Sequence, residues 1–395
     1  MNFAGIITEY DPFHNGHAAQ LRMLREQGAQ TIAVCMSSGA VQRGGVPLFP
    51  ESVRVRAALL GGADLVVALP APYANTGAEA FAAAGVGLLT ALGCDTLAFG
   101  AEDPDAGRLM QAARLLAVPD LSARLRYYLG QGLTFAAARA RAAEELEPGL
   151  SELLARPNNI LGIEYCKALL AQHSPMQPLA LPRLGAHHGS EETGCAGQTL
   201  LASASLLRML VRKKGLEALA PYVPETALEV YRQAARQGMT ADTGRFSVAL
   251  LALLRAGDPA RFARIRGVNE GLENRLAAAV RQAVDAEDLY TRLKTKRYPH
   301  ARLRRLALDA AMGVEAGMLP ALPPYLHVLG ARKQALSLLR GAALPVSTSL
   351  AKLEQALPSA QNVIALQGAF TDFSSLCREK TQPMGLAYTA KPVVL

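Results

Sequence analysis

The strongest constraint on the fold is a rhythm in the first hundred residues. Short, β-rich apolar runs at 4–8, 31–36, 65–69 and 96–99 are each followed by a helix candidate. The intervening stretches 16–26, 51–60 and 78–92 carry apolar residues three or four apart and have the length of helices. Crossovers of that length bring each strand back in the same direction, so the runs predict a parallel sheet with helices on its faces. The fold class expected is α/β, opened by a Rossmann-like sheet.

Beyond residue 103 the pattern turns mainly helical, through 107–116, 121–129 and 135–146, and Pro157, Asn158 and Asn159 open a further helix. A short strand is expected at 178–181. A polar, glycine-bearing stretch at 185–197 holds the adjacent His187 and His188 and reads as a loop beside a site; a helix over 203–213 follows. From about Gly215 the chain is rich in Ala, Leu and Arg at helical spacing and is interrupted by prolines. Two domains are therefore expected: 1–214, α/β, and 215–395, mainly helical.

Composition excludes several classes. Half of the residues are hydrophobic and 19% are charged, which rules out a disordered chain. The cysteines Cys35, Cys94, Cys166, Cys195 and Cys377 are scattered, with no CxxC pair and no Cys/His cluster at zinc spacing, so neither a disulfide framework nor structural zinc is expected. The first residues lack a basic leader before an apolar stretch, and no apolar run is long enough to cross a bilayer. A soluble cytoplasmic protein with no membrane partner is expected. The net charge of +8 suits a polyanionic partner without proving one.

The segment GIITEYDPFHNGHAAQ, residues 5–20, runs from a strand into a loop carrying His14, Asn15, Gly16 and His17 at a helix start. A helix N-terminus offers unpaired N–H groups and partial positive charge, Gly16 permits close approach of a phosphate, and two imidazoles can donate to its oxygens. That set would stabilise charge developing on an α-phosphate as pyrophosphate leaves. An HxGH tetrapeptide alone reads equally as a helix cap; its place after the first strand of an α/β pattern favours a nucleotide site.

These residues resemble the opening of the bacterial tRNA(Met) cytidine acetate ligase family of the HxGH nucleotidyltransferase superfamily. The likeness continues in order through MSSGAVQRG at 36–44, GADLVVALP at 62–70, AFG at 98–100, RPNNILGIEY at 156–165, PRLGAHH at 182–188 and ASASLLR at 202–208. Later pieces, KTKRYPHARLRRL at 294–306 and PPYLHVLG at 323–330, also look like the family. The resemblance implies a nucleotidyltransferase domain followed by a helical one. It implies an enzyme that uses ATP to make acetyl-adenylate from acetate and passes the acetyl group to N4 of the wobble cytidine of elongator tRNA(Met). ATP and Mg²⁺ are the implied cofactors, and no DNA partner is expected.

Carried over by motif, the implied ATP contacts are Ile7, Thr8, Glu9, Tyr10, Asp11, Pro12, Phe13, His14, Asn15, Gly16, His17, Ala18, Ala19 and Gln20, then Gly100, Asn159, Arg183 and Leu184, with His14 and His17 catalytic. Asn158 is the alternative to Asn159. Gly100 can equally be a turning glycine, the asparagines helix caps, and Arg183 a solvated cation. Ser203, Ser205 and Arg208 resemble the superfamily's second phosphate motif. His187 or His188 is only a guess as general base for the amine.

Glu51 stands where family members commonly carry a lysine. Near a triphosphate it would weaken catalysis unless Arg43, Arg54 or Arg56 supplied the charge; at a helix N-terminus it is favourable. Between residues 289 and 308 the cations Arg292, Lys294, Lys296, Arg297, Arg302, Arg304 and Arg305 stand with Tyr290, Tyr298 and His300 and no acid. Lys294, Lys296, Arg297, Arg302, Arg304 and Arg305 are the candidate tRNA contacts, outside the nucleotide motifs, with Arg212, Lys213 and Lys214 extending them. The rival readings are a small-molecule nucleotidyltransferase and an RNA-binding family member of reduced activity.

Overall fold

The strands β1 (Phe3–Thr8), β2 (Thr31–Ser37), β3 (Leu65–Leu69) and β4 (Thr96–Ala101) stand where the apolar runs place them, with β5 (Gln177–Pro182) where the return strand is expected. The computed structural model describes residues 1–183, 194–196, 199–269, 271–295 and 298–395. β1 pairs with β2 and β4, β2 with β3, and β4 with β5, all in parallel. Helices Asn15–Glu26, Glu51–Leu60 and Ala78–Leu92 cross between the first four strands. Period-two alternation divides the sheet between two cores: Phe3 and Ile7 of β1 join Phe81 and Leu89 on one face, while Ala4 and Ile6 join Leu21 and Val55 on the other. A Cβ on Gly5 would stand 2.8 Å from Leu89, so the Ala78–Leu92 helix lies flush on the strand.

The sheet does not end with the first domain expected from the sequence. Residues of the last third return to it: β8 (Leu326–Ala331) lies antiparallel beside β3, and β9 (Val346–Ser347) and β10 (Val393–Val394) pair with β8 in parallel. The order is β10-β8-β3-β2-β1-β4-β5, with a separate two-stranded sheet of β6 (Gly194–Ala196) and β7 (Thr199–Leu201). Every residue of β8 is buried. A short apolar run without alternation is indistinguishable by period from a buried helical turn, which is why 215–395 read as mainly helical. Physically, β8 covers what would otherwise be a long apolar edge on β3.

Asp64 fastens that corner. Its buried carboxylate accepts the Ile32 N–H at 2.7 Å and pairs with Arg25, with Arg332 at 3.8 Å. Arg332, directly after β8, also donates to Leu59 O at 2.7 Å. The helices Thr243–Ala256, Leu272–Gln282, Ala286–Leu293, His300–Met312 and Gln361–Leu376 enclose a third core, which takes in Ala40 after β2 and Ala71 after β3. Among the described residues no helix is long and apolar enough to cross a membrane.

The return of β8 is testable in solution. A Cβ on Gly330 would sit 2.6 Å from Val55 Cγ1 and 2.7 Å from Val393 O. Gly330→Val should therefore cost about 1–3 kcal/mol by overpacking, seen as a lower urea midpoint at unchanged slope. An unchanged midpoint would mean that β8 is not packed between these neighbours.

Candidate active site

The order of strands β2-β1-β4 makes a switch point: from β1 the chain first goes outward to β2 and β3, then returns to the other side for β4. Open α/β sheets bind ligands in the crevice at the carboxyl ends beside such a point. Here a cleft of about 350 Å³ opens there. It is bounded by the end of β1, the start of the Asn15–Glu26 helix, Gly100 in β4, Asn158 on the Pro157–Ala171 helix and Arg183 after β5.

The chain leaves β1 through a constrained turn. Tyr10 adopts φ +45°, which costs a non-glycine residue energy, and the Asp11–Pro12 peptide is cis. The turn is pinned from several sides. Asp11 Oδ1 accepts the Leu48 N–H at 2.6 Å, Arg208 donates to the Asp11 carbonyl at 2.6 Å and lies 3.3 Å from its carboxylate, and Tyr231 donates to Phe13 O at 3.0 Å. Tyr10 is buried against Phe13 and His17, with ring centroids 4.9 and 4.7 Å away.

The two histidines cap the helix reciprocally. The Gly16 N–H donates to His14 Nδ1 at 3.1 Å and the His14 N–H to His17 Nδ1 at 3.3 Å, while the rings stack at 3.7 Å. A ring nitrogen that accepts carries no proton, so each neutral imidazole holds its hydrogen on Nε2. Burial, aided by Arg183 and Arg208, pulls His14 down to about 3; burial, His14 and Arg183 hold His17 well below its usual range. Both rings are neutral donors near pH 7. A Cβ on Gly16 would stand 3.0 Å from the His14 ring, so a larger residue here would push on the cap.

The other expected contacts divide. Ile7, Thr8, Glu9, Tyr10, Asp11, Gln20, Gly100 and Arg183 line the cleft with the histidines and Gly16. Ala18, Ala19 and Phe13 are buried in the interior. Pro12 lies in the turn and does not line the cleft. Asn15 turns to another task, donating to Leu200 O at 3.0 Å and Pro221 O at 3.2 Å. Of the asparagine pair, Asn158 lines the cleft; Asn159, the first choice from sequence, is buried behind it and accepts the Asp103 N–H at 2.9 Å. Ser203 caps the Ala204–Lys214 helix through the Leu206 N–H, and Ser205 and Arg208 line an adjoining cleft. Leu184, His187, His188, Lys296 and Arg297 lie outside the described residues.

Three expectations are corrected by the packing. Glu51 begins the Glu51–Leu60 helix as a favourable N-terminal charge, but it lines a separate cavity with His327 and Thr371 rather than the nucleotide cleft, and burial pushes its carboxyl up to about 7. Arg54 is fully buried and donates to Glu9 O, Ser37 O, Ser38 O and Phe49 O at 2.7–3.2 Å, so it cannot serve a phosphate; Arg56 is exposed, and Arg43 alone of the three lines the cleft. Four described cations of the basic stripe are hydrogen-bonded within the fold, one of them to the loop beside the cleft. Lys294 donates to Tyr298 O at 2.7 Å, Arg302 to Asn269 at 3.2 Å, Arg304 to Glu287 at 3.0 Å and Arg305 to Gln42 O at 3.1 Å. Tyr290 and Tyr298 are buried, not free to stack on a base.

Sequence reasoning missed Glu102. Its carboxylate accepts from the Asn158 amide and from the Asn159 N–H at 2.9 Å, and Arg183 lies 3.9 Å away. Burial pushes this acid up, but those hydrogen bonds outweigh it and hold it below the usual carboxylate range. It orients both groups on the far wall, and its only signal was an acid two residues beyond the strand-end glycine. The cleft also has an apolar wall, Phe81, Phe99 and Tyr165, which the sequence reading did not single out.

Similarity to known proteins points the same way. The family model described as HIGH Nucleotidyl Transferase matches residues 1–386. The tRNA(Met) cytidine acetate ligase of Caldanaerobacter subterraneus subsp. tengcongensis is 34% identical over 89% of this chain and 90% of its own. The protein of that name from Listeria monocytogenes is 33% identical over the same shares. Crystal structures of Thermotoga maritima TmcAL, one apo and one bound with α-thio ATP, match with a TM-score of 0.90 at 28% and 27% identity, covering 100% of each chain. A fold, a strand-end histidine pair and whole-length likeness agree, and the chain belongs to the tRNA(Met) cytidine acetate ligase family of HIGH nucleotidyltransferases.

Proposed function

We propose that this chain uses ATP to activate acetate as acetyl-adenylate and then transfers the acetyl group to N4 of the wobble cytidine in elongator tRNA(Met). The observation that carries the reading is the pair of neutral, mutually capped imidazoles at a helix N-terminus, set in the cleft at the switch point. An acetate oxygen attacks the α-phosphorus and pyrophosphate departs. The Nε2–H groups of His14 and His17, at the positive end of the helix dipole, meet the charge that grows on the α-phosphate. Because their Nδ1 atoms are held by the backbone, these donors need no reorganisation. Arg43 and Arg183 supply positive charge in the same cleft, and Asn158 and Gly100 bound the nucleotide on the far wall.

Among the described residues no group of three His, Cys, Asp or Glu side chains is placed to hold a metal ion. Mg²⁺ fits as an ion that arrives on the triphosphate and keeps most of its water. It would supply neutralisation of phosphate charge. For tRNA, the exposed Arg212, Lys213 and Lys214 at the end of the Ala204–Lys214 helix offer cations beside the active site. The reduced-activity alternative leaned on Glu51, which faces another cavity.

Acetate-dependent exchange of pyrophosphate into ATP, and acetylation of tRNA(Met), test the reading directly. In His17→Ala the exchange should fall by about 100-fold or more, the scale of removing one preorganised donor. Exchange near the wild-type rate in that variant would remove His17 from the chemistry.

Gly100 gives a sharper test of the nucleotide's position. Among the described residues no atom lies within 4 Å of a Cβ built there, so Gly100→Val projects its side chain into the cleft. ATP binding by calorimetry should be lost while the melting temperature stays put. Retained binding would put the nucleotide elsewhere.

Glu51→Lys should leave ATP affinity and exchange unchanged. A gain in either would return Glu51 to the phosphate site.

A further inference from the structure

A second cleft, of about 540 Å³, adjoins the nucleotide cleft and shares Glu9, Asp11 and Arg43 with it. Its remaining wall comes from far along the chain: Arg208 and Arg212, residues 241–247, and the helices carrying Tyr290 and Arg304. Two polar atoms in that wall are buried without partners, the Tyr290 hydroxyl and Arg304 Nε, although Arg304 also pairs with Glu287 and lies over the Tyr290 ring at 5.2 Å. Buried polar groups left unpaired are costly, and the edge of a nucleobase carries the acceptors and donors that would satisfy them. An enzyme that modifies a base must take it out of the stack and into a pocket, and this pocket opens beside the site of activation.

Asp11 on the shared wall is occupied: one carboxylate oxygen takes the Leu48 N–H and the other faces Arg208. Glu9 is placed differently. Its Oε1 accepts the Gln42 N–H at 2.5 Å, which fixes the carboxyl's orientation, and a carboxylate keeps further acceptor capacity beyond that bond.

We propose that Glu9 is the proton acceptor for the cytidine amine, standing on the ridge between the ATP cleft and a second cleft that holds the flipped-out nucleoside. The inference rests on the acetate-ligase reading. In the step, the N4 lone pair attacks the acetyl carbonyl carbon of the acyl-adenylate and a C–N bond forms. One N4 proton passes to the Glu9 carboxylate, the C–O bond to the phosphate breaks, and AMP leaves with its electron pair. The amine of cytosine is a poor nucleophile, so removal of its proton is where a base helps most. Burial and then Asp11 push the Glu9 carboxyl up, against the Gln42 N–H, Arg208 and Arg43, which keeps it a stronger base than a solvated carboxylate.

The test separates the two half-reactions in the full-length chain, with ATP, acetate and transcribed tRNA(Met). Glu9→Gln retains an oxygen for the Gln42 N–H but cannot take a proton. Single-turnover acetyl transfer to tRNA should fall at least about 100-fold further than acetate-dependent pyrophosphate exchange does. The wild-type transfer rate should rise with pH through the titration of Glu9, and that acid limb should vanish in the variant. Tyr290→Phe should raise the tRNA concentration for half-maximal transfer and leave exchange untouched. Loss of exchange together with transfer in Glu9→Gln, or retention of both, overturns the assignment of Glu9. An unchanged tRNA dependence in Tyr290→Phe overturns the second cleft as the nucleoside's seat. A wild type that exchanges with acetate but never acetylates tRNA fails a different claim, the function on which the inference stands.

Discussion

Everything at the active site hangs from one buried cation. Arg54, fully enclosed beneath the strand ends, donates to the carbonyls of Glu9, Ser37, Ser38 and Phe49, and so ties the loop after β1 to the loop after β2 and to the start of its own helix. Those loops carry Glu9 through His14 and Gln42 with Arg43. Its charge is offset by Asp11, Glu51 and Glu9. A planar fork can meet several carbonyls at fixed angles, which a lysine's point charge cannot. Removing it would leave buried carbonyls without donors and acids without a counter-charge, at a cost of several kcal/mol. The arginine considered from sequence as a spare phosphate ligand is instead what holds the cleft-lining loops in place.

Legibility of the sequence follows from how local each cause is. Helices Glu51–Leu60, Ala78–Leu92 and Phe135–Leu146 begin and end where spacing put them because their apolar positions lie within the segments and their end signals, such as Pro50, Gly93 and Thr134, directly adjoin them. β8 was not legible, because its strand character comes from an edge more than two hundred residues earlier. In the site, HNGH was legible because cap, glycine and imidazoles are contiguous. The choice between Asn158 and Asn159 was not: neighbours on a helix point about 100° apart, and a single sequence does not give the rotation. For Glu51 the sequence left a place near the phosphates and a helix N-terminus both open, and the helix direction, which only the fold gives, turns it toward a separate cavity.

The basic stripe shows the converse error. Between residues 289 and 308 no acid appears, and the segment reads as unneutralised charge. Its partners are remote in sequence or sit on the backbone: Asn269 for Arg302, Gln42 for Arg305, and Glu287, just upstream, for Arg304. Of these partners only Glu287 carries a counter-charge; Asn269 and the Gln42 carbonyl hold their guanidinium groups in place without neutralising them.

These contacts give the two clefts different dependences. The ATP cleft is assembled from strand ends and helix starts of the parallel sheet, within reach of local sequence signals. The second cleft exists only when the helical region docks, and the fit there is close: Gly44 carries φ +77°, and a Cβ on it would lie 2.5 Å from the Arg304 backbone. That contact presses the loop holding Gln42 and Arg43 against the helix holding Arg304 and Arg305. The second cleft thus depends on the meeting of loop and helical layer, which also sets the loop that brings Gln42 and Arg43 to the first. In such an arrangement the shared wall, Glu9, Asp11 and Arg43, is the one place where a group can act on both substrates, and the carboxylate there not already paired with an arginine is Glu9.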